Sequence, residues 1–384
     1  MAAVTCACIA IVLTACDERI SDSGRRDADR LPVLSAVEDL RLGSLADPDS
    51  GFSRIGAVAV DQDGNVYVVE QQPPEIRVFD AAGTPLRTIG RQGQGPGEFV
   101  RPGLIGILLD TLWVNDPGLG RVTLFLLDGS VAETFPTAPI VRPAPPSPNV
   151  MVTLRGGVLR SDGFVHMERA DAVAFLGPGT APPDSLSVPI IRLDRDGNVV
   201  DTAGEGRIYL VHSDDEGSPG RPAQTDLVDS PGPPADTPLR VRTDAGSILI
   251  DRKVPATADG ASFSITRLST EGDTLYHRVL GYSPTPYTAA AIDSLRSTLG
   301  DITIPEYRTP VIAAHVGSDG TVLLLRDGET GADRRWLVID SDGTPRGQAM
   351  LPASISIRWI GSDAIYAVER DSFDVPWLVR YRLN

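Results

Sequence analysis

The sequence predicts an all-β fold: a six-bladed β-propeller of four-stranded antiparallel blades, its ring closed by an N-terminal strand. Three observations predict it. Residues 55–116 hold a unit of short alternating strands and Asp/Gly turns that begins again within a few dozen residues, the mark of a propeller or solenoid. The 384 residues include 38 Gly and 32 Pro, a turn-rich composition with few helices expected. The turns also come in inner and outer sets that recur along the chain.

In the first repeat, Ala57-Val58-Ala59-Val60 and Val66-Tyr67-Val68-Val69 flank an Asp/Gly/Asn turn at 61–65. Gly and Asn tolerate positive φ and Asp side chains bond local amides, so this reads as a hairpin. A second hairpin follows, with Ile76-Arg77-Val78-Phe79 alternating in period two, a turn at 80–83 and a return at 85–89. Two hairpins make one blade. The inner turn recurs near Asp110, at Asp162-Gly163, Ala245-Gly246, Asp319-Gly320 and Ser362-Asp363. The outer turn recurs at Asp128-Gly129, Asp196-Gly197, Glu271-Gly272 and Asp342-Gly343. Six inner turns predict six blades in one domain, residues 33–384. The sixth repeat lacks its outer strand, and residues 33–42 are expected to supply it, since an open ring would leave edges that template aggregation.

The later blades carry insertions. Residues 136–149 are proline-dense and read as an extended connection, 177–183 as an insertion, and 212–238 as a mobile loop. Residues 286–300 predict one helix, with Ala291, Leu295 and Leu299 on a single face, covering one end of the barrel.

Residues 1–15 form a small, apolar run ending in Leu13-Thr14-Ala15-Cys16, which resembles the lipobox of bacterial lipoproteins. The resemblance implies a signal peptide cleaved before Cys16, lipidation of that thiol, and export to a bacterial membrane on its periplasmic or outer face. The run is too short for a transmembrane helix, and no Lys or Arg precedes it. All three cysteines lie within the first 16 residues, so the mature domain would carry no thiol or disulfide chemistry. Residues 16–32 are polar and charged and read as a disordered tether. Deleting 33–42 should therefore harm the fold far more than deleting 17–30. A net charge of −16 argues against binding nucleic acid or anionic lipid headgroups, which need a basic surface. A monomer is expected.

The junction Gly90-Arg91-Gln92-Gly93-Gln94-Gly95-Pro96-Gly97-Glu98-Phe99 resembles the G-x-G-x-G-P-G-E-F linker of NHL repeats. Leu112-Trp113-Val114-Asn115-Asp116 with Arg121-Val122 is similar to the segment that follows it in that family. The likeness covers about residues 52–135. As a whole, the chain most resembles the six-bladed β-propeller lipoproteins of bacteria, NHL-repeat-like or TolB-like.

The second strand of every repeat ends in a carboxylate: Glu70, Asp116, Glu168, Asp251, Asp327 and Glu369. Propeller geometry places them near one rim. They could form an acidic ring for a hard cation such as Ca²⁺, or each could accept backbone N–H groups of the turn after its strand. Six-bladed propellers include calcium-dependent lactonases and esterases, so the resemblance admits a hydrolase with its site in the central channel and Asn115 and Asp116 as metal ligands. No cofactor is otherwise expected. His166, His212, His277 and His315 are too dispersed for a zinc motif, no G-x-S-x-G occurs, and the glycine-rich linker lacks G-K-[ST]. Trp113, Trp336, Trp359 and Trp377 read as packing residues rather than a sugar platform. The leading expectation is a non-enzymatic propeller at the cell envelope. It would hold a protein, peptide or glycan on a rim built from Glu70, Arg91, Glu98, Arg101, Asp116, Arg121 and Glu369.

Overall fold

A computed structural model describes residues 26–44, 51–137, 150–174, 185–209, 223–226, 239–243, 246–269, 273–299, 304–326 and 332–384. They form six radial sheets around one axis, a six-bladed β-propeller. Blade one is Ile55–Val60, Val66–Gln71, Pro74–Phe79 and Pro85–Ile89, in that order from axis to periphery. Blade two runs from Ile105–Leu108 to Val131–Pro136, blade three from Val150–Leu159 to Val199–Tyr209, and blade four from Leu239–Thr243 to Thr274–Gly281. Blade five runs from Ala313–Val316 to Pro345–Pro352. Blade six holds Ser356–Ile360, Ala364–Arg370 and Pro376–Leu383, and its outer strand is Ala36–Leu42, antiparallel to Pro376–Leu383. The ring closes where expected.

The Asp/Gly turns show why the repeat works. Asp80 Oδ1 accepts the amides of Ala82 and Thr84 at 2.9 and 2.7 Å while Gly83 takes φ +88°. Asp194 does the same for Asp196 and Asn198, and Asp342 for Thr344. Each carboxylate satisfies turn amides that no strand can reach, and each Gly adopts a left-handed backbone without steric cost. Between blades, the alternating residues interlock as apolar layers. Phe52, Val66, Val68 and Phe79 meet Tyr366, Val368 and Leu378 of blade six, and Tyr67, Val69 and Ile76 meet Leu112, Val114 and Phe125 of blade two. Burial of this kind contributes roughly 25 cal/mol per Å² and is the main force holding neighbouring blades together.

The N-terminal segment does more than close the ring. Arg26–Asp27 pairs in parallel with the outer strand of blade four, and Val33–Leu34 pairs in parallel with that of blade five. Between them Ala28 is fully buried, and Gln348 Nε2 donates to the carbonyls of Ala28 and Leu31 at 3.0 and 3.1 Å. Asp29 accepts the Ser283 amide at 2.6 Å and pairs with Arg326 at 2.8 Å. Arg326 lies 5.0 Å above the Tyr282 ring. Desolvation opposes ionisation of Asp29, but the Ser283 amide and Arg326 outweigh it and hold its carboxyl below the ordinary value. Thus residues 26–42 are a strap across blades four, five and six. The stretch read as tether is docked from Arg26 onward, because Ala28 finds an apolar slot and Asp29 a cationic partner that composition alone does not reveal.

Two further expectations meet the structure differently. The helix is present at Ala289–Leu299, and its Ala291, Ile292 and Leu295 are at most half-buried. Within the segment read as a mobile loop, Ala223–Asp226 is a strand paired with 169–172 of blade three. The signal peptide, Cys16, residues 17–25, 138–149 and 177–183, His212, Ala245, the outer turn at Glu271-Gly272, and Asp327 lie outside the described residues.

Candidate functional site

The rim where second strands end and third strands begin is where the sequence-predicted binding residues were expected. Two of its carboxylates are wholly engaged by backbone. Glu70, buried, accepts amides from Ser53, Arg54, Gln71 and Gln72 at 2.8–3.1 Å. Asp116, equally buried, accepts Val100, Arg101, Gly118 and Leu119 at 2.8–3.2 Å. Each ties the approach segment of its own blade to the loop that follows the second strand. Glu369 differs: it pairs with Arg41 of the strap at 2.5 Å and accepts the Tyr381 hydroxyl. Asp251 is exposed, with the Lys253 amide 3.4 Å away, and Glu168 does not end its strand, which continues to Ala174, so it is not a rim residue of the kind expected. Among the described residues these carboxylates do not act as one ring.

An ion at Asn115 and Asp116 would have to displace the four amides that Asp116 accepts. The Asn115 side chain is buried between blades two and three with neither amide atom partnered, and it faces Gly157 of blade three, where a Cβ would lie 3.3 Å from its Nδ2. Among the described residues, no group of three or more His, Cys, Asp or Glu is placed to hold a metal ion.

The glycine-rich linker is a folded knot. Phe99 is buried and tilts against Phe125 with ring centroids 5.8 Å apart. Its amide bonds the Arg91 carbonyl at 2.8 Å, and its carbonyl receives the Gly93 amide at 2.9 Å. Glu98 accepts the Gly95 amide at 2.8 Å and pairs with Arg91 at 2.9 Å; together these hold its carboxyl below the usual range. Arg121 donates to the carbonyls of Gln94, Gly95 and Glu98, at 3.2, 2.6 and 2.9 Å. Gly90 must be glycine, since at φ +72° a Cβ would overlap the Phe99 ring and stand 2.7 Å from the Gly97 carbonyl. Arg91, Glu98 and Arg121 are therefore committed to the linker's own shape. Arg101 alone of the predicted set keeps an exposed side chain with only its amide engaged.

What sequence reasoning missed on this rim is Phe373. The loop after Glu369 carries it at 78% exposure, on a turn fixed from several sides. Asp371 accepts the Phe373 and Val375 amides at 2.8 and 3.0 Å and the Trp377 indole at 3.2 Å. Desolvation opposes its ionisation, but the Val375 and Phe373 amides prevail and keep its carboxyl low. Arg370 donates to the Asp374 carbonyl at 2.8 Å, and Asp374 adopts φ +63°, a conformation that costs a non-glycine residue about 1 kcal/mol or more. The signal was legible in retrospect: Asp371, Ser372, Phe373 and Asp374 put a lone aromatic between polar turn residues.

On neighbouring blade one, a cavity of about 570 Å³ opens beside the loop after Glu70, lined by Ser53, Glu70, Glu75, Arg77, Phe79 and Thr88. Burial pushes the Glu75 carboxyl up, with Arg77 opposing and the Glu70 charge adding to the rise. Arg77 is sandwiched between Phe52 and Phe79, at 4.7 and 5.6 Å from their ring centres. Val100, 43% exposed, continues the same sector toward blade two.

The four tryptophans pack: Trp113 and Trp336 are buried, and Trp359 and Trp377 are half-buried against apolar clusters. His166 and His315 sit within strands, and His277 bonds Thr266 at 2.8 Å.

No protein-family profile matches the sequence, and no curated protein is detectably similar to it. Solved structures similar in fold include a protein from Bacteroides fragilis presumed to be exported, 11% identical, with 94% of this chain covering 99% of that one at a TM-score of 0.45. A member of the DUF4221 family from Bacteroides vulgatus is 11% identical over 91% of this chain and 98% of its own, with a TM-score of 0.39. Virginiamycin B lyase from Staphylococcus aureus is 12% identical over 91% and 99%, with a TM-score of 0.38. Likenesses of this depth speak to neither substrate nor activity.

Proposed function

We propose that this protein is a non-catalytic binding propeller of the bacterial cell envelope, capturing a protein or peptide on the rim formed by blades six, one and two. The observation that carries the reading is Phe373. Its turn spends a strained Asp374 and a cluster of charge-assisted hydrogen bonds to hold one large apolar side chain in water. A rigid, exposed aromatic is what a protein interface uses as an anchor, because little conformational entropy is lost when it is buried. The cavity beside Glu75 on the adjoining blade and exposed Val100 extend that surface with a slot and an apolar shelf.

The lipobox-like Leu13–Cys16 segment supports export and a lipid anchor on Cys16. Among the described residues no helix is long and apolar enough to cross a membrane. Only ten residue steps separate Cys16 from Arg26, which is seated on blade four, so a lipid at Cys16 would hold that blade within about 35 Å of the bilayer.

The test is photo-crosslinking in cells, with a reactive residue placed at 373, at 100, and at 84 on the opposite rim. Discrete adducts from 373 and 100, lost from position 100 when Phe373→Ser is added, support the reading. Adducts equally strong from 84, or none from 373, overturn it.

A further inference from the structure

The cavity on blade one, of about 570 Å³, contains polar groups that the described chain leaves without partners. Four charged residues border it: Glu70, Glu75, Arg77 and Arg87. Three are committed elsewhere. Glu70 accepts four backbone amides. Arg77 donates to the Gly51 carbonyl at 2.5 Å and lies between the Phe52 and Phe79 rings. Arg87 turns toward blade two, where it donates to the Leu127 carbonyl. Glu75 is the exception. Among the described residues no hydrogen bond or ion pair engages its carboxylate, nor the hydroxyls of Ser53 and Thr88, which line the same space.

The ladder explains why these groups meet. In an antiparallel pair, opposite residues point to one side and every second residue returns to it. Thr88 stands opposite Arg77, and Glu75 lies two residues before Arg77, so the three share one face of blade one. Ile76 and Val78, between them, turn to the apolar layer shared with blade two. Leu86, two residues before Thr88, is 46% exposed on the face of Thr88.

We propose that this cavity is a binding site for a primary alkylammonium group, the head of a lysine side chain or of a free aliphatic amine. Such a head carries three N–H donors and no acceptor, which matches a carboxylate accompanied by two hydroxyls. Its methylene stem needs an apolar wall, and Pro85, Leu86 and Phe79 line the same space. The sign of the charge decides against an anion. Burial, with the Glu70 charge adding to it, pushes the Glu75 carboxyl up against the pull of Arg77, so a cation relieves what an anion would aggravate. A neutral guest would leave the carboxylate without a counter-charge. The site stands on the cavity itself, and it rests on the rim reading only where the amine belongs to the captured partner.

The experiment titrates the purified full chain with n-butylammonium, n-butanol and butyrate by calorimetry at one ionic strength, for wild type, Glu75→Gln and Thr88→Val. The expected result is saturable binding of butylammonium and none of butyrate, with a dissociation constant roughly ten-fold weaker in Glu75→Gln and roughly three-fold weaker in Thr88→Val. The comparison of the three probes in wild type requires no variant and so holds where a variant does not fold. Absence of saturable butylammonium binding, butanol or butyrate bound as tightly, or an affinity that Glu75→Gln leaves unchanged would each overturn the proposal. Crosslinking from position 373 in the Glu75→Gln background separates this site from the rim reading. With butylammonium binding established, weaker adducts assign the ammonium to a lysine of the partner, and unchanged adducts assign it to a free amine. Loss of adducts from wild type overturns the rim reading and leaves the calorimetric result standing.

Discussion

His315 offers a quantitative check on the axis of the propeller. Its pKa falls from an ordinary 6.5 to about 4, first because burial disfavours the charged imidazolium and then because Arg358 repels it. The sign follows from linkage. Between these values the unfolded chain binds a proton that the folded chain refuses, so stability falls as pH drops through this window and is unaffected above about pH 7. The full difference corresponds to about 3 kcal/mol, of which about 2 kcal/mol is already lost at pH 5. Urea unfolding of wild type and His315→Gln at pH 7.5, 6 and 5 isolates this contribution, because all other titrating groups are common to both chains. The wild type should lose about 2 kcal/mol more than the variant between pH 7.5 and 5. Parallel stability curves would refute the reasoning, since they would mean that water reaches the ring well enough to charge it in the folded state.

Gly90→Ala should destabilise by at least about 2 kcal/mol, combining the cost of φ +72° with displacement of the Phe99 ring, whereas Gly163→Ala, at φ +82° with open space around it, should lose only about 1 kcal/mol; thermal melts of the two variants distinguish shape from backbone strain. Asp29→Ala removes the partner of Arg326 and of the Ser283 amide, and should cost about 2 kcal/mol, less than a fully buried pair because the Asp29 side chain is a quarter exposed. It should also open the strap to trypsin after Arg30 at concentrations that leave wild type intact.

The propeller was legible because its turns advertise themselves. Asp80 and Gly83, or Asp342 and Gly343, are local solutions to local problems, so the chain repeats them wherever a hairpin must reverse. The rim was legible in position but not in role. Glu70 and Asp116 look like a ligand-binding ring because the same carboxylates that satisfy buried amides would serve a metal ion equally well. Only the four N–H donors around each decide between the two. Ala28 and Asp29 were hidden for the opposite reason: their partners, Gln348 and Arg326, lie about 300 residues away and leave no periodic trace.

The strap has a consequence for how the protein is made. Asp39 pairs with Arg380, 341 positions later in the chain. At a synthesis rate of ~5–20 residues per second, the ring-closing strand waits ~17–70 s for its neighbour. Until that neighbour arrives the strap has no finished set of blades to seat on, and the ring has nothing with which to seal itself. A protein built this way reaches its final shape only once its last blade has been made, which suits a chain of the exported kind proposed above, one that has to stay unfolded until it has been carried across a membrane.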